Sequence, residues 1–381
     1  MENIISKKNL LEKEITEERK KLSSDRMDIS FGELINLYKS EELIIRPEYQ
    51  RLFRWSSKQK TALIESILLS IPIPPIFVSE DSNGVWELVD GLQRVSSFIS
   101  FFGELSKSVS ELTYTLGDSE DEFEENTKKL KIGNKWALEA GGLINNLEGF
   151  TIDTLPNNLK INLKRSVCRV EILRGESSSA MKYELFKRLN SGGSKATPQE
   201  IRNAIYRGVN PKLNELTLEL SQNSIFKKLT DLSEMKKQEL YDQELVLRFI
   251  AFLNNTESVN ENTEKFLNNF MEKSVANESF DFNKYRTIFI KVITLIDTIG
   301  DDKIFRKNSK NLFVPAEFEG ITIALAQNID IYENNLELLK TNIAILKSDD
   351  SFRKLSGSSS NSKSRIKTRL RRANEIFKVT V

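Results

Sequence analysis

Apolar residues in this chain follow mixed periods over the first half and a helical period over the second. From Ser57 the spacing is helical: Leu63, Ile64, Ile67 and Leu68 share one face, Ser56 or Ser57 can cap the start, and Pro72, Pro74 and Pro75 stop it. Ile76–Val78 and Val85–Val89 read as strands joined by Asp81-Ser82-Asn83-Gly84, residues that tolerate positive φ. Asp90-Gly91 follows at once, and Val95, Phe98, Ile99 and Phe102 then predict a helix ending at Gly103. Further on, Asp153 or Thr154 caps a helix beginning at Pro156, Val167–Leu173 reads as a buried strand, and Ser177–Ser179 starts a helix running to Leu189. Ahead of all these, residues 1 to about 27 read as a charged helical lead-in, Ile29–Tyr38 has a mixed strand and helix pattern, and Lys39–Leu52 reads as extended chain around Pro47.

The best-specified helix start is Thr197-Pro198-Gln199-Glu200, a capping box with proline at the first helical position. In that helix Ile201, Ala204 and Ile205 face inward, Arg202, Asn203 and Tyr206 fall on the polar side, and Gly208 closes it. From Pro211 onward helical periodicity dominates, with long helices predicted at Gln238–Asn254, Phe282–Ile299 and Ile329–Leu346. The expected fold class is α+β: a lead-in over 1–28, a mixed domain over 29–208 and an all-α domain over 209–381. The serine-rich stretch from Ser356 precedes Lys363, Arg365, Lys367, Arg369, Arg371 and Arg372. That run reads as an amphipathic last helix with Ile366, Leu370, Ala373 and Phe377 inward, and its basic face is a candidate for nucleic-acid phosphates.

Composition changes the picture chiefly by exclusion. None of the 381 residues is histidine, which removes Ser-His-Asp triads, histidine-ligated zinc and HNH-type nuclease centres. With 56 basic and 55 acidic residues the net charge is +1, so no global attraction to nucleic acid is expected, though local patches are allowed. Cys168, the single cysteine, cannot form an intrachain disulfide. The first thirty residues lack the apolar core of a signal peptide, and no apolar run is long enough to cross a bilayer, so a cytoplasmic protein with no membrane partner is expected.

Three clusters could carry chemistry. Asp90-Gly91-Leu92-Gln93-Arg94 sits at a strand-to-helix junction, where backbone N–H groups and the positive helix end suit a phosphate. There Arg94 can grip phosphate oxygens, Gln93 can position a nucleotide or water, and Asp90 can hold a hydrated metal; the plain alternative is an Asp cap, a Gly turn and an exposed Arg. Gln50 and Arg51, with Arg54 and Trp55 nearby, suit base stacking or a phosphate clamp, or equally two aromatic core anchors with outward arginines. Asn190-Ser191-Gly192-Gly193-Ser194-Lys195, followed by Arg202 and Asn203, allows close backbone approach to a ligand, or is an ordinary connection between helices. It does not have the Walker A spacing.

Together, five blocks resemble a known family. Pro47-Glu48-Tyr49-Gln50-Arg51 with Trp55, Leu63-Ile64-Glu65-Ser66, Ile71 through Ile76, Val89 through Arg94, and Phe186 with Leu189 through Gly193 and Glu200 through Ala204 occur in the order seen in the N-terminal domain of the GmrSD-type restriction family. The likeness runs from about Ile29 to Gly208. It implies a ParB/sulfiredoxin-like fold and an Asp-Gly-Gln-Gln-Arg signature that binds and hydrolyses nucleoside triphosphate with Mg²⁺. Carried over, Asp90, Gln93 and Arg94 would be catalytic, with Asp90 on the metal, and Gln50, Arg51, Gly91, Asn190, Arg202 and Asn203 would bind the nucleotide. The chain departs at Leu92, where the family usually has glutamine.

The resemblance further implies an anti-phage role: a nucleotide-driven sensor of phage or modified DNA working with a separate nuclease or effector subunit, with a homo-oligomer allowed. Many relatives continue into an HNH nuclease domain, which a chain without histidine does not contain. The competing readings are a nucleotide-gated DNA-binding adaptor and a metal-dependent endonuclease, the latter weakened by the lack of a clear Asp…Glu-x-Lys core.

Overall fold

The computed structural model describes residues 2–20, 23–45, 55–81, 83–105, 136–174, 179–189, 197–207, 209–255, 261–307, 312–356 and 363–378. The chain divides into two compact units, Met1–Ala196 and Thr197–Val381.

The first unit is built on a five-stranded mixed sheet of β1 (Ser24–Ser30), β2 (Leu43–Ile44), β3 (Ile76–Glu80), β4 (Trp86–Asp90) and β5 (Val167–Leu173), in the order β1-β5-β3-β4-β2. β3 runs antiparallel to β4 and parallel to β5, while the edge strands β1 and β2 pair antiparallel to β5 and parallel to β4. One sheet face presents Ile76, Val78, Leu88, Cys168, Val170 and Ile172. These pack in one core with Leu34 of α2 (Phe31–Lys39), Leu63 and Ile64 of α3 (Ser57–Leu68), Val95, Phe98 and Ile99 of α4 (Leu92–Phe101) and Leu163 of α5 (Asn157–Arg165). α1 (Glu2–Arg19) precedes the sheet, and α6 (Ser179–Leu189) ends this unit's described chain and packs on β4.

Several local expectations hold. Ser56 caps α3 through a full capping box with Gln59, and β5 has the predicted bounds. Two do not. β1 begins inside the stretch read as a helical lead-in, because Ser24-Asp25-Arg26-Met27-Asp28 is an exposed edge with little apolar alternation, and its strand character comes from pairing with β5. Neither Asp153 nor Thr154 caps α5: Pro156 stands at its N-cap without a side-chain bond, and the Thr154 hydroxyl is taken up by Thr151.

The second unit is mostly, not wholly, helical, since Arg306–Lys307 pairs antiparallel with Leu312–Phe313; its helices are α7 (Pro198–Tyr206), α8 (Lys212–Ser221), α9 (Ser224–Thr230), α10 (Glu234–Gln238), α11 (Tyr241–Asn255), α12 (Thr263–Val275), α13 (Phe282–Asp297), α14 (Pro315–Gln327), α15 (Ile329–Tyr332), α16 (Leu336–Ser348), α17 (Asp350–Leu355) and α18 (Lys363–Phe377). α14 is buried at Ala316 and from Phe318 to Ala326. Gly320 admits the Phe352 ring, which would lie 2.8 Å from an added Cβ. The helix predicted over Ile329–Leu346 is split in two, because Asn335 accepts the Leu338 N–H and starts α16 afresh. Among the described residues no helix is long and apolar enough to cross a membrane.

Candidate functional site

The β4–α4 junction is shaped by one glycine. Gly91 has φ +97°, a region that disfavours other residues, and an added Cβ would come within 2.7 Å of Ile76 Cγ2 on β3. A register shift between Phe77 and Val78 leaves Asp90 opposite Phe77. Helix α4 then starts at Leu92 with Gly91 at its N-cap and no side-chain cap. Its N-cap residue thus supplies no capping oxygen to the first-turn N–H groups, which carry the positive end of the helix dipole.

Asp90 is thus not the cap. Its Oδ2 accepts from Arg94 Nη2 at 3.1 Å, one helical turn on, and Arg94 Nη1 donates to the carbonyls of Pro74 and, at 3.1 Å, Pro75. The arginine expected to be exposed or bound to phosphate is instead largely buried, its side chain 13% accessible, tying the proline turn to the junction. Gln93 Oε1 accepts the Trp55 N–H at 3.2 Å. Gln50, Arg51 and Asn190 lie outside the described residues, as do Arg54 and the Ser191–Lys195 loop. The described residues flanking the Gln50–Arg51 segment are Ile45, which follows the β2 strand paired to β4, and Trp55, bonded to Gln93.

The junction fits a nucleotide's phosphates in two respects: a helix start without a capping side chain, and a glycine that keeps backbone close to backbone. For a metal it offers the Asp90 carboxylate. Among the described residues no group of three or more His, Cys, Asp or Glu could hold an ion. That suits Mg²⁺ carried mainly by phosphate oxygens and water, and not a metal caged by protein.

Arg202 and Asn203 belong to the second unit and are buried, not on a polar face. Arg202 donates to Gln199 Oε1 at 2.9 Å and pairs with Glu244. Glu244 accepts from Arg248 Nη2 at 2.7 Å, Arg248 Nη1 donates to Glu319 at 2.7 Å, and Glu319 pairs with Arg369 of α18. Burial works to raise the Glu244 pKa, but Arg248 and Arg202 outweigh it and hold the carboxyl below its ordinary value. Asn203 bonds Gln199, Gln243 and Asn214. Tyr206 is buried too, donating to the Asn268 carbonyl at 3.1 Å, and desolvation raises its pKa. Helical periodicity marked these residues as polar, yet they turn inward because α11 and α12 bring matching polar groups.

The last helix behaves the same way. Ile366, Leu370, Ala373 and Phe377 are buried as expected, and Arg369 is buried with them. Arg372 pairs with Asp349 and Glu375, while Arg371 is exposed and Arg365 and Lys367 are half-buried; the Lys363 side chain lies outside the described residues.

Two contacts have no counterpart in the sequence pattern. Glu65 on α3 accepts the N–H groups of Gly142, Leu143 and Ile144 at 3.1, 2.8 and 2.7 Å, fastening that loop. Lys182 on α6 donates to Ser79 Oγ of β3 at 3.4 Å. Both join residues at least 77 positions apart, and no local pattern announces them.

The family model for the GmrSD restriction endonuclease, N-terminal domain, matches residues 31–207. The chain carries a GmrSD N-terminal domain. This GmrSD domain runs from α2 to the end of α7, so it contains the Asp90–Arg94 junction and also reaches past the division between the units at Ala196. Its presence assigns the chain a restriction-related role in defence. No curated protein and no solved structure matches the chain significantly.

Proposed function

We propose that the GmrSD domain binds a nucleoside triphosphate with Mg²⁺ at the Asp90–Arg94 junction, hydrolyses it, and acts as the sensing component of a restriction system directed at modified phage DNA. The observation that carries this reading is the α4 N-terminus behind Gly91, a helix start with no capping side chain to fill it. A bound triphosphate would supply the electrophilic phosphorus, and its own charge would bring the Mg²⁺.

The chain's own residues then have distinct tasks. The α4 N–H groups bind phosphate oxygens. Asp90 is the carboxylate available to the metal, and Arg94 is a positioning residue that keeps Asp90 and the proline turn in place. Gln93, whose side-chain oxygen accepts the Trp55 N–H, lies in the first turn of α4 and lines the phosphate site. Hydrolysis adds that water to the terminal phosphorus as the bond to the diphosphate leaving group breaks. Since these residues include no histidine, DNA cleavage by a histidine-built centre needs a partner nuclease or effector.

The test is equilibrium binding and phosphate release with ATP, GTP, CTP and UTP in Mg²⁺. At least one should bind and turn over. Arg94→Lys, whose point charge cannot span a carboxylate and two carbonyls, should lower turnover at least tenfold. Absence of binding to all four nucleotides would sink the reading.

A further inference from the structure

Among the described residues the edge strand β1 has a neighbouring strand on one side only. Arg174 N–H donates to the Ser23 carbonyl and Phe31 N–H to that of Ser166, both in the register that pairs Ser24 with Leu173 and Ser30 with Val167. In an antiparallel ladder such exchanges recur at every second residue. Asp25, Met27 and Ile29 therefore direct N–H and C=O towards β5, while Arg26 and Asp28 direct theirs outward, to the side without a described strand. The Arg26 N–H agrees, for it bonds the Asp25 carboxylate at 2.8 Å and not β5. Ser24 through Asp28 are all exposed.

Charged residues commonly guard such an edge against pairing. On β1 their order favours one partner, a second β1. Antiparallel self-pairing centred on Met27 sets Arg26 opposite Asp28, Ser24 opposite Ser30 and Met27 opposite its own counterpart. The backbone agrees with that register, because Arg26 and Asp28 are both outward residues and exchange N–H···O=C bonds on either side of the centre. On one face Arg26 already meets Glu171 at 3.0 Å, and Asp28 meets Arg169 at 3.3 Å. A second copy extends each pair into a row of alternating charge: Glu171, Arg26, the partner's Asp28 and the partner's Arg169, with the same row repeated in reverse. On the other face Met27, 45% exposed beside buried Val170, gains an apolar neighbour in the partner's Met27. Asp25 falls opposite Ile29 and keeps its bond to Arg174.

We propose that β1 is a homodimer interface, through which two copies of the chain join their sheets edge to edge, antiparallel, about a two-fold axis at Met27. A strand of 7 residues is about 24 Å long, so the paired edges bury less than a standard interface of about 1,600 Å², and dissociation in the micromolar range is expected. The inference is independent of the nucleotide site.

The experiment is sedimentation velocity of the full chain over a concentration series reaching about 100 μM, which should show a reversible dimer. Arg26→Asp sets carboxylates against carboxylates across the axis, and Asp28→Arg sets guanidinium groups against guanidinium groups, so each variant alone should dimerise at least tenfold more weakly. Mixed in equal amounts the two should recover wild-type association, because the acidic edge of one then meets the basic edge of the other. Met27→Cys gives an independent reading should the charge variants fold poorly. Non-hydrogen-bonded antiparallel partners stand about 4.5 Å apart at Cα, so its oxidation should link the chains in pairs. Ser24→Cys, set opposite Ser30, should not link, and Cys168 is buried. A wild-type monomer throughout the series, or a Met27→Cys chain that does not link, would overturn the inference. So would folded charge variants that do not associate when mixed. A dimer indifferent to both charge variants would also overturn it and move the contact elsewhere, for instance to the exposed Leu10, Leu11 and Ile15 of α1.

Discussion

Glu65 shows how much one side chain can organise. Its carboxylate takes three backbone N–H groups from a loop nearly eighty residues away, and an added Cβ at Gly141 would lie 2.2 Å from its Oε1, so the loop must approach as glycine. Burial works to raise its pKa, yet the N–H donors prevail and hold it below the ordinary carboxylate value. A depressed carboxyl pKa contributes stability above the unfolded value and loses it as pH falls through the folded one. Glu65→Ala should cost about 2–3 kcal/mol in urea unfolding near pH 7, and the deficit should shrink below about pH 4, where the wild-type carboxyl is also protonated. Arg202 is a different case. Removing it leaves Glu244 paired with Arg248 but short of one partner, so Arg202→Ala should destabilise the helical unit by roughly 3 kcal/mol, read by chemical denaturation. Partial recovery in Arg202→Met with Glu244→Leu would mark the pair as structural.

At the scale of elements, the β4–α4 turn places most of the chemistry. Gly91→Ala meets two penalties, the positive φ and the Ile76 contact, about 1 kcal/mol for the first alone and more for the second. Because the strain falls on the first turn of α4, nucleotide affinity should drop alongside the melting temperature. Ile76→Ala, introduced with Gly91→Ala, should relieve the contact without relieving the φ, giving partial recovery in melting experiments. Full wild-type affinity in Gly91→Ala would contradict the role given to the helix start. Helix α7 shows the opposite balance: its capping box between Thr197 and Glu200 forms as the local sequence specifies, whatever surrounds it.

For the whole molecule, the two compact units carry different reporters. Trp55, Trp86 and Trp136, the only tryptophans, all pack against the core of the first unit, and Cys168 is in that core with its pKa pushed up to about 12 by burial. Tryptophan fluorescence and Cys168 alkylation should therefore report the first unit alone, whereas far-UV circular dichroism weighs the helices of both. In urea the first two signals should change together and the third should show a separate phase; a single coincident transition would mean the units unfold as one. Acid should also separate them. Asp242 in the helical unit has its pKa raised to about 6 by desolvation, so its protonation adds stability as pH falls from about 6 towards 4, opposite in sign to Glu65.

What the sequence determined by itself was local or ordered along the chain: a serine cap at the start of α3, the capping box at Thr197, β5 and the β3–β4 hairpin, the strand-to-helix junction at Asp90–Arg94, the mixed-then-helical division, and the ordered blocks that match the GmrSD family. These are encoded by neighbours a few residues apart, where capping, turn preference and periodicity act. Only tertiary structure decided where the polar side chains go. Arg202, Asn203 and Arg369 turned inward because carboxylates and amides from other helices meet them, Arg94 clamps Asp90 and two proline carbonyls instead of standing open, and Lys182 reached Ser79 of β3 through a fold that brings α6 onto β4. Local partners such as Asp90 for Arg94 sit within one helical turn, but the burial of these charges depends on others tens of residues away, Glu244 for Arg202 and Glu319 for Arg369, which no short window of sequence contains.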